Sequence, residues 1–291
     1  MNPKTKLLFL TIFCCLFIRS GFGQSDDDIK LGIAPVEPLR IAGNIYYVGS
    51  SDLTSYLIVT PKGNILIDSG MKEMVPQVKA NIAKLGFRLE DTKIILNSHA
   101  HFDHAGGINE LRRLTKAKFL ASELDIQLLK RGGLDDPNFG DRFPFEPTTP
   151  DEVFQNGARV RLGGTELTAN ITSGHTKGCT TWTTTVQEAK RKLNVIFVCS
   201  VSSPGYKLVG NEKYPDIETD FMKSFEWFSK AKVDVFLASH AGFFDLEGKS
   251  KKLRDGSAVN PFIDPEGYRE FIEGNRKTFI EKLTTQKAAN N

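Results

Sequence analysis

The sequence predicts an α/β protein in which two β-sheets pack face to face and helices cover their outer faces. Three features lead to this fold class. The chain opens with a meander of strands, continues with alternating strands and helices, and repeats this order in its second half. Because a sheet must bury its apolar face against another layer, two such halves are expected to stack as two sheets. No linker-like composition separates the halves, so residues 24–291 are expected to form a single domain.

The first half contains strand-length apolar runs and amphipathic runs with helical spacing. A Pro-Lys-Gly-Asn turn at 61–64 joins two of the strands closely, which predicts that the first sheet begins antiparallel. Gly86 marks the expected end of the first helix. The expected elements are strands at 45–48, 56–60 and 65–68, a helix at 75–86, a strand at 94–96, a helix at 108–114, a strand at 117–121 and a helix at 123–129.

The second half begins after a loop at 132–150 that is rich in Gly, Asp, Pro and Phe. Its Phe139, Phe143 and Phe145 make it more aromatic than a solvated loop requires, so these side chains either pack against the core or line a substrate cleft. The expected elements after the loop are strands at 160–162, 166–171, 180–186 and 193–198, a helix at 221–230, a strand at 233–237 and a helix at 265–283.

The amino terminus has the three parts of a secretory signal peptide. Lys4 and Lys6 precede an apolar run at 7–18, and a Gly-Phe-Gly stretch follows at 21–23. The apolar run is short for a membrane span, so residues 1–23 are expected to be a cleaved signal peptide that directs the protein to the periplasm. After cleavage no membrane association is expected; a retained anchor is the alternative.

The charge balance is close to neutral. The net charge is +3, from 38 basic and 35 acidic residues, and the longest basic runs lie at 190–192 and 249–252. Runs this short are usually solvated surface, so no nucleic-acid partner is expected.

Removal of the signal peptide would leave two of the four cysteines, Cys179 and Cys199. An even pair in an oxidising compartment is a candidate disulfide. Two free buried thiols are the alternative, because the sequence does not give the distance between them.

Potential metal ligands are most concentrated at 98–107, where an HxHxDH motif places His99, His101, Asp103 and His104 within six residues. An apolar strand precedes the motif and a helical run follows it, so it lies on a strand-to-helix loop. In an extended segment His99 and His101 point to the same side, whereas Asp103 and His104 face another direction once the helical turn begins. The loop can therefore serve two adjacent metal ions.

The chain has five histidines, so the remaining ligands of such a site must come from His175 and His240. Each follows an apolar or alternating run and lies close before a glycine, as expected for a ligand at a strand end. Taken alone, either would more often be a surface or hydrogen-bonded residue. The clustered motif favours the metal site, because three imidazoles so close together would crowd positive charge at mildly acidic pH unless metal binds there.

These motifs resemble the metallo-β-lactamase superfamily and, within it, the class B β-lactamases of the third subclass (B3). The superfamily motif HxHxDH is followed here by Gly106 and Gly107. The closer resemblance rests on Ser-Gly-His-Thr-Lys-Gly-Cys-Thr-Thr-Trp at 173–182, Ser-Val-Ser-Ser-Pro-Gly-Tyr at 200–206 and Asp-Asp-Pro-Asn-Phe-Gly-Asp at 135–141. The fold that the resemblance implies is an αββα sandwich of two mixed sheets, with metal ligands at strand ends along one edge.

The resemblance also implies a cofactor of two zinc ions per chain. The implied ligands are His99, His101 and His175 for one ion, and Asp103, His104 and His240 for the other. Ser200 and Ser202 are the implied partners of the substrate carboxylate, and the aromatic loop that contains Phe139 is expected to form one wall of the cleft.

The implied reaction is hydrolysis of the β-lactam amide bond by a zinc-bound hydroxide, which would confer resistance to β-lactam antibiotics. Asp103 is the expected catalytic residue, because it would ligate the second ion and orient the nucleophile. The expected partner is a small-molecule β-lactam, bound by a monomer.

Two other functions fit parts of the sequence. One is a hydrolase of the same fold that acts on a lactone, thioester or phosphoester. Thioesterase-like relatives place a metal-bridging Asp at the end of the strand that here runs into Val198, Cys199 and Ser200, and this chain has no acid there. The other is a secreted zinc-binding protein without catalysis.

Overall fold

Two β-sheets lie against each other in the computed structural model, which describes residues 32–290. The ring of Tyr56 in the first sheet lies edge-on to the ring of Phe197 in the second, with 5.0 Å between the ring centroids. The first sheet contains, in spatial order, β1 (Leu39–Ala42), β2 (Ile45–Tyr47), β3 (Tyr56–Thr60), β4 (Gly63–Ile67), β5 (Thr92–Leu96), β6 (Lys118–Ser122) and β7 (Glu152–Phe154). The second contains β12 (Val235–Ala238), β11 (Arg191–Val198), β10 (Thr180–Glu188), β9 (Thr165–Ile171) and β8 (Arg159–Leu162).

Helices cover the sheets on their outer sides. Val78 and Ile82 of the first helix pack with Leu66 of β4, whereas the flanking Ile65 and Ile67 face the core between the sheets. This alternation follows from the two-residue period of a strand, which buries both faces of β4. The helices are α1 (Val75–Lys84), α2 (Phe102–Ala105), α3 (Ile108–Thr115), α4 (Ile126–Lys130), α5 (Ile217–Lys230), α6 (Leu246–Arg254) and α7 (Pro265–Ala289).

Both sheets are mixed. Strands β1 to β4 pair antiparallel, and β4 to β7 pair parallel through connections that contain helices or long loops. In the second sheet β8 to β11 pair antiparallel, and β12 adds parallel to β11. The predicted fold class, two mixed sheets with helices outside, is confirmed.

Parallel pairing brings the carboxyl ends of neighbouring strands to one edge. The segments that follow β4, β5 and β6 therefore leave the first sheet side by side, and those that follow β11 and β12 leave the second sheet in the same way. Functional loops of α/β proteins collect at such an edge. Here the edge receives the HxHxDH loop after β5 and His240 after β12.

The sequence missed three short or polar elements. Strand β1 lies in the polar lead-in, β7 is an edge strand of three residues, and α6 is rich in lysine. Helix α5 begins at Ile217, earlier than expected, and α7 continues to Ala289, beyond the expected end at 283.

The predicted signal peptide at 1–23 and the predicted start of the mature chain lie outside the described residues. Within residues 32–290, none of the helices combines the length and the apolar character needed to cross a bilayer.

Candidate metal centre

Three imidazoles surround one point at the edge of the sheets. The ring centroids of His99, His101 and His175 lie 4.7 to 4.8 Å from one another. Nδ1 of His101 is 3.1 Å from Nε2 of His175. His99 and His101 come from the loop after β5, and His175 comes from the turn between β9 and β10. We call these residues the first triad.

A second set of ligand atoms lies beside the first. Oδ2 of Asp103 is 3.4 Å from Nε2 of His104 and 3.7 Å from Nε2 of His240. The two imidazole rings are 5.1 Å apart. We call Asp103, His104 and His240 the second triad. The rings of His99 and His104 are 4.2 Å apart, so the triads share one centre that brings together all five histidines.

The donor set fits zinc. Nε2 of His99 is buried and has no hydrogen-bond partner, which is a costly arrangement unless another group, such as a metal ion, binds the nitrogen. Nε2 of His104 is also buried and makes no hydrogen bond, although Oδ2 of Asp103 lies 3.4 Å from it. Burial and the neighbouring histidines lower the pKa of His99 and lower that of His175 to about 3. Both rings are therefore neutral at physiological pH, which is the form that binds metal. Imidazole nitrogens and a carboxylate oxygen are the common ligands of catalytic zinc.

The second triad favours positive charge between its members. Burial opposes charge on His104, but Asp103 and Asp68 outweigh it and raise the pKa of His104 to about 10. Burial likewise raises the pKa of Asp103, and His104 and His240 more than reverse this, so that the net pKa is lowered. A divalent cation bound here would interact favourably with the same carboxylates that otherwise stabilise the proton on His104.

Carboxylates lie behind three of the histidines, and the sequence did not predict them. Oδ2 of Asp52 is 2.8 Å from Nδ1 of His240, and Oδ2 of Asp136 is 3.3 Å from Nε2 of His101. Oδ2 of Asp68 is 3.3 Å from Nδ1 of His104. Metal-binding histidines usually donate their second ring N–H to such a group, which fixes the tautomer and the ring orientation.

Asp68 also holds the motif loop to the end of β4. Its Oδ1 accepts a hydrogen bond of 2.6 Å from the backbone N–H of Ser98, and its Oδ2 accepts one of 2.7 Å from the Ser98 hydroxyl. The residue is buried and has a φ of 60°, a left-handed conformation that is uncommon for a residue other than glycine. Strain of this kind is concentrated at functional sites. In the sequence, the feature that could have indicated this role is the position of Asp68 directly after the buried strand β4.

Asp125 ties the two loops of the first triad together. Its carboxylate accepts hydrogen bonds from the N–H of Ala100, the hydroxyl of Thr176 and the N–H of Gly178, at 2.8 to 3.0 Å. Burial raises the pKa of this carboxyl, although the three donors oppose the shift. The sequence placed Asp125 on a helix and gave no sign of this role.

The serines implied by the resemblance follow β11, next to the first triad. The carbonyl oxygen of Ser202 is 2.8 Å from Nδ1 of His175. The hydroxyl oxygens of Ser200 and Ser202 are 3.1 Å apart; Ser200 is buried and Ser202 is half-buried. The structure therefore brings both serines to the centre, with Ser202 the more accessible.

The aromatic loop contacts both the metal centre and the core. The ring of Phe139 is 5.3 Å from the ring of His101, and Phe143 stacks on Phe102 of the motif at 4.9 Å. Phe145 instead packs against the core between the first sheet and its helices. One part of the loop thus borders the centre and another anchors it.

Cys179 and Cys199 form a disulfide, which resolves the choice that the sequence left open. The bond joins the residue before β10 to the residue after β11. Sγ of Cys199 lies 3.6 Å from Nδ1 of His99, so the disulfide packs directly against one histidine of the first triad.

Comparisons with known proteins agree with this geometry. Residues 52–186 match the family described as the metallo-beta-lactamase superfamily. The chain is 46% identical to the native FEZ-1 metallo-beta-lactamase from Legionella gormanii, with a TM-score of 0.85 over 87% of this chain and 98% of that one. It is 37% identical to BJP-1, a subclass B3 metallo-beta-lactamase of Bradyrhizobium japonicum, with a TM-score of 0.84 over 91% of this chain and all of that one.

A more distant relative has another substrate in its name. The N-acyl homoserine lactonase of a Bacillus species is 32% identical over a match that covers 29% of this chain. The chain spans 44% of the length of that lactonase.

Proposed function

The chain belongs to the metallo-beta-lactamase superfamily, and from this premise we propose that it hydrolyses the amide bond of β-lactams with the help of bound zinc. The observation that carries the proposal is the convergence of all five histidines and Asp103 at one sheet edge. The likeness to the B3 enzyme BJP-1 over nearly the whole described chain supports the same reaction class.

Two zinc ions per chain are the proposed cofactor. The first triad would hold one ion and the second triad the other. The short distances within each triad and the buried, unpartnered nitrogens support this assignment. When bound, zinc polarises a carbonyl oxygen and makes a water molecule nucleophilic at neutral pH.

The side chains of the protein orient the ligands and the substrate. Asp52, Asp68 and Asp136 would fix the histidine rings through their outer nitrogens. Asp103, the only acid among the proposed ligands, would orient the nucleophile. The hydroxyl of Ser202, with the buried Ser200 behind it, would donate to the carboxylate of the β-lactam, while Phe139 would contact its apolar part.

We also propose that residues 1–23 direct export to the periplasm and that 24–291 form one catalytic domain, active as a monomer. The disulfide supports an oxidising compartment, since structural disulfides are rare in reducing ones. Hydrolysis of β-lactams in that compartment would confer resistance to these antibiotics.

A lactone or thioester hydrolase remains the second candidate, favoured by the match to the lactonase. Against it, the segment after β11 reads Cys-Ser-Val-Ser-Ser at 199–203 and offers no carboxylate to bridge two ions. The first reaction is therefore the better supported.

The experiment compares the hydrolysis of a penicillin, a carbapenem, an N-acyl homoserine lactone and a thioester by the purified protein. We expect turnover of the β-lactams, loss of that turnover with a chelator and recovery with added zinc. Asp103→Asn should abolish most of the activity, and Asp91→Asn, at an exposed position, should not change it. Hydrolysis that resists chelation, or faster turnover of the lactone or thioester, would reject the proposal.

A further inference from the structure

The C-terminal helix α7 contacts the segment that carries Ser200 and Ser202. We call residues 199–210 the serine loop. Gln286 of α7 accepts hydrogen bonds through Oε1 from the N–H of Leu208 at 2.7 Å and from that of Val209 at 3.3 Å. Nε2 of Gln286 donates to the carbonyl of Tyr206 at 2.8 Å. One side chain thus satisfies three backbone groups of a loop that has no regular structure of its own.

Lys282 adds a second attachment one turn earlier on the same helix face. Its Nζ donates to the carbonyl oxygen of Ser203 and lies 6.0 Å from the centroid of the Tyr206 ring. Partial burial lowers the pKa of this lysine. The four hydrogen bonds from α7 span residues 203–209, directly after the two serines.

Tyr206 connects these attachments to the first triad. Its hydroxyl donates to the carbonyl of His175 at 3.1 Å and lies 3.2 Å from Nδ1 of the same residue. The two rings stack with centroids 5.5 Å apart. Tyr206 is fully buried, so it cannot rotate away without repacking of its neighbours. A continuous set of contacts therefore runs from α7 through the serine loop to His175.

We propose that Gln286 and Lys282 are positioning residues, which hold the serine loop and Tyr206 so that Ser202 and His175 keep their places at the centre. The consequence for catalysis rests on the proposed function. The arrangement matters because residues 203–209 form no helix or strand of their own, and a small displacement of a substrate-binding hydroxyl weakens binding.

The direct test is amide hydrogen exchange, read residue by residue. In Gln286→Met the amides of Leu208 and Val209 lose their acceptor, and we expect about fivefold to tenfold faster exchange at these two positions. Gln286→Glu keeps an acceptor for both amides but loses the donor to the Tyr206 carbonyl, so these two amides should exchange more slowly than in Gln286→Met. Lys282→Met should speed local exchange at the amides of Ser203, Gly205 and Tyr206, and the matched change Lys277→Met, on the exposed part of the same helix, should leave the loop unchanged.

Steady-state kinetics then measures how these substitutions affect substrate binding and turnover at the metal centre. KM for a β-lactam should rise several-fold in Gln286→Met and Lys282→Met with a smaller change in kcat, because binding of the substrate carboxylate is impaired first. The exchange experiment needs no turnover, so it decides the positioning role even if the protein hydrolyses no β-lactam. Unchanged exchange at Leu208 and Val209 in Gln286→Met would overturn the proposal. Acceleration spread evenly over both sheets would overturn it too, because α7 would then stabilise the whole domain and not this loop.

Discussion

Oδ2 of Asp52 lies 2.8 Å from Nδ1 of His240, and the contact joins residues 188 positions apart in the sequence. Asp136 has the same relationship to His101, with 3.3 Å between Oδ2 and Nε2. In each pair the other carboxylate oxygen accepts from nearby backbone N–H groups. The two aspartates are therefore matched supports, one behind each triad.

Substitution of Asp52 should weaken the second metal site selectively. In Asp52→Asn, Oδ1 can still accept from the backbone, but an NH2 group replaces the acceptor for His240. We expect the affinity of the second site to fall by about 10-fold to 100-fold, while the first site is unchanged. The measurement is a zinc titration with a competing chelator.

Asp136→Asn is the matched variant, because it makes the same chemical change behind His101. It should weaken the first site and spare the second. If both variants lose affinity at the same site, or neither does, then these carboxylates do not orient the ligands as the structure indicates.

Removal of a ligand should have a larger effect than removal of its support. His240→Ala takes away one of the three proposed ligands of the second ion, so we expect about one zinc ion per chain to remain after dialysis, as determined by elemental analysis. His175→Ala should instead deplete the first site. Two ions retained in His240→Ala would show that this histidine is not a ligand.

Local sequence patterns predicted most of the centre. The HxHxDH motif places four candidate ligands on one loop, and strand periodicity places that loop at a sheet edge. His175 and His240 could be added because the chain has no other histidines outside the motif. The structure brings these residues together, and the fold class was predicted from the repeated order of strands and helices.

The supporting residues could not be predicted in the same way. Asp52, Asp125 and Asp136 act through contacts between distant segments, and the 35 acidic residues of the chain give no sign of which ones are buried. The attachment of Gln286 to the serine loop depends on how α7 packs, which no local pattern determines. Short elements such as β7 were missed because three residues show no period.

Loss of the disulfide should lower the free energy of unfolding but leave the folded protein able to bind zinc. The bond between Cys179 and Cys199 closes a segment with a sequence separation of 20, for which chain entropy predicts about 3 kcal/mol. The double variant Cys179→Ala with Cys199→Ala should therefore unfold at lower denaturant concentration but bind zinc when folded. An unchanged free energy of unfolding in the double variant, relative to the oxidised wild type, would contradict this.

The buried lysine of α6 gives a pH-dependent contribution to stability. Nζ of Lys249 is 2.6 Å from Oδ2 of Asp264, which also caps α7 by accepting from the N–H of Gly267. Burial raises the pKa of Asp264, but Lys249 and the Gly267 amide outweigh it, so the net pKa is lowered. A carboxyl with a lowered pKa stabilises the folded state above its unfolded pKa of about 3.9, and this contribution is lost as the pH falls through the folded pKa.

Asp264→Asn should therefore cost stability at neutral pH and little at strongly acidic pH. Asn remains a good helix cap, so the loss, about 2 kcal/mol, reflects the unpaired charge of Lys249. Denaturant unfolding between pH 2 and 7, with a chelator present throughout so that metal loss does not contribute, should show a difference between the wild type and the variant that begins to shrink near pH 4 and continues to shrink as the pH falls through the lowered folded pKa of Asp264. Asp255→Asn, which breaks the exposed pair with Lys251, is the control and should change little at any pH. A difference between the wild type and Asp264→Asn that persists undiminished at the acid limit would mean that the ion pair is not its source.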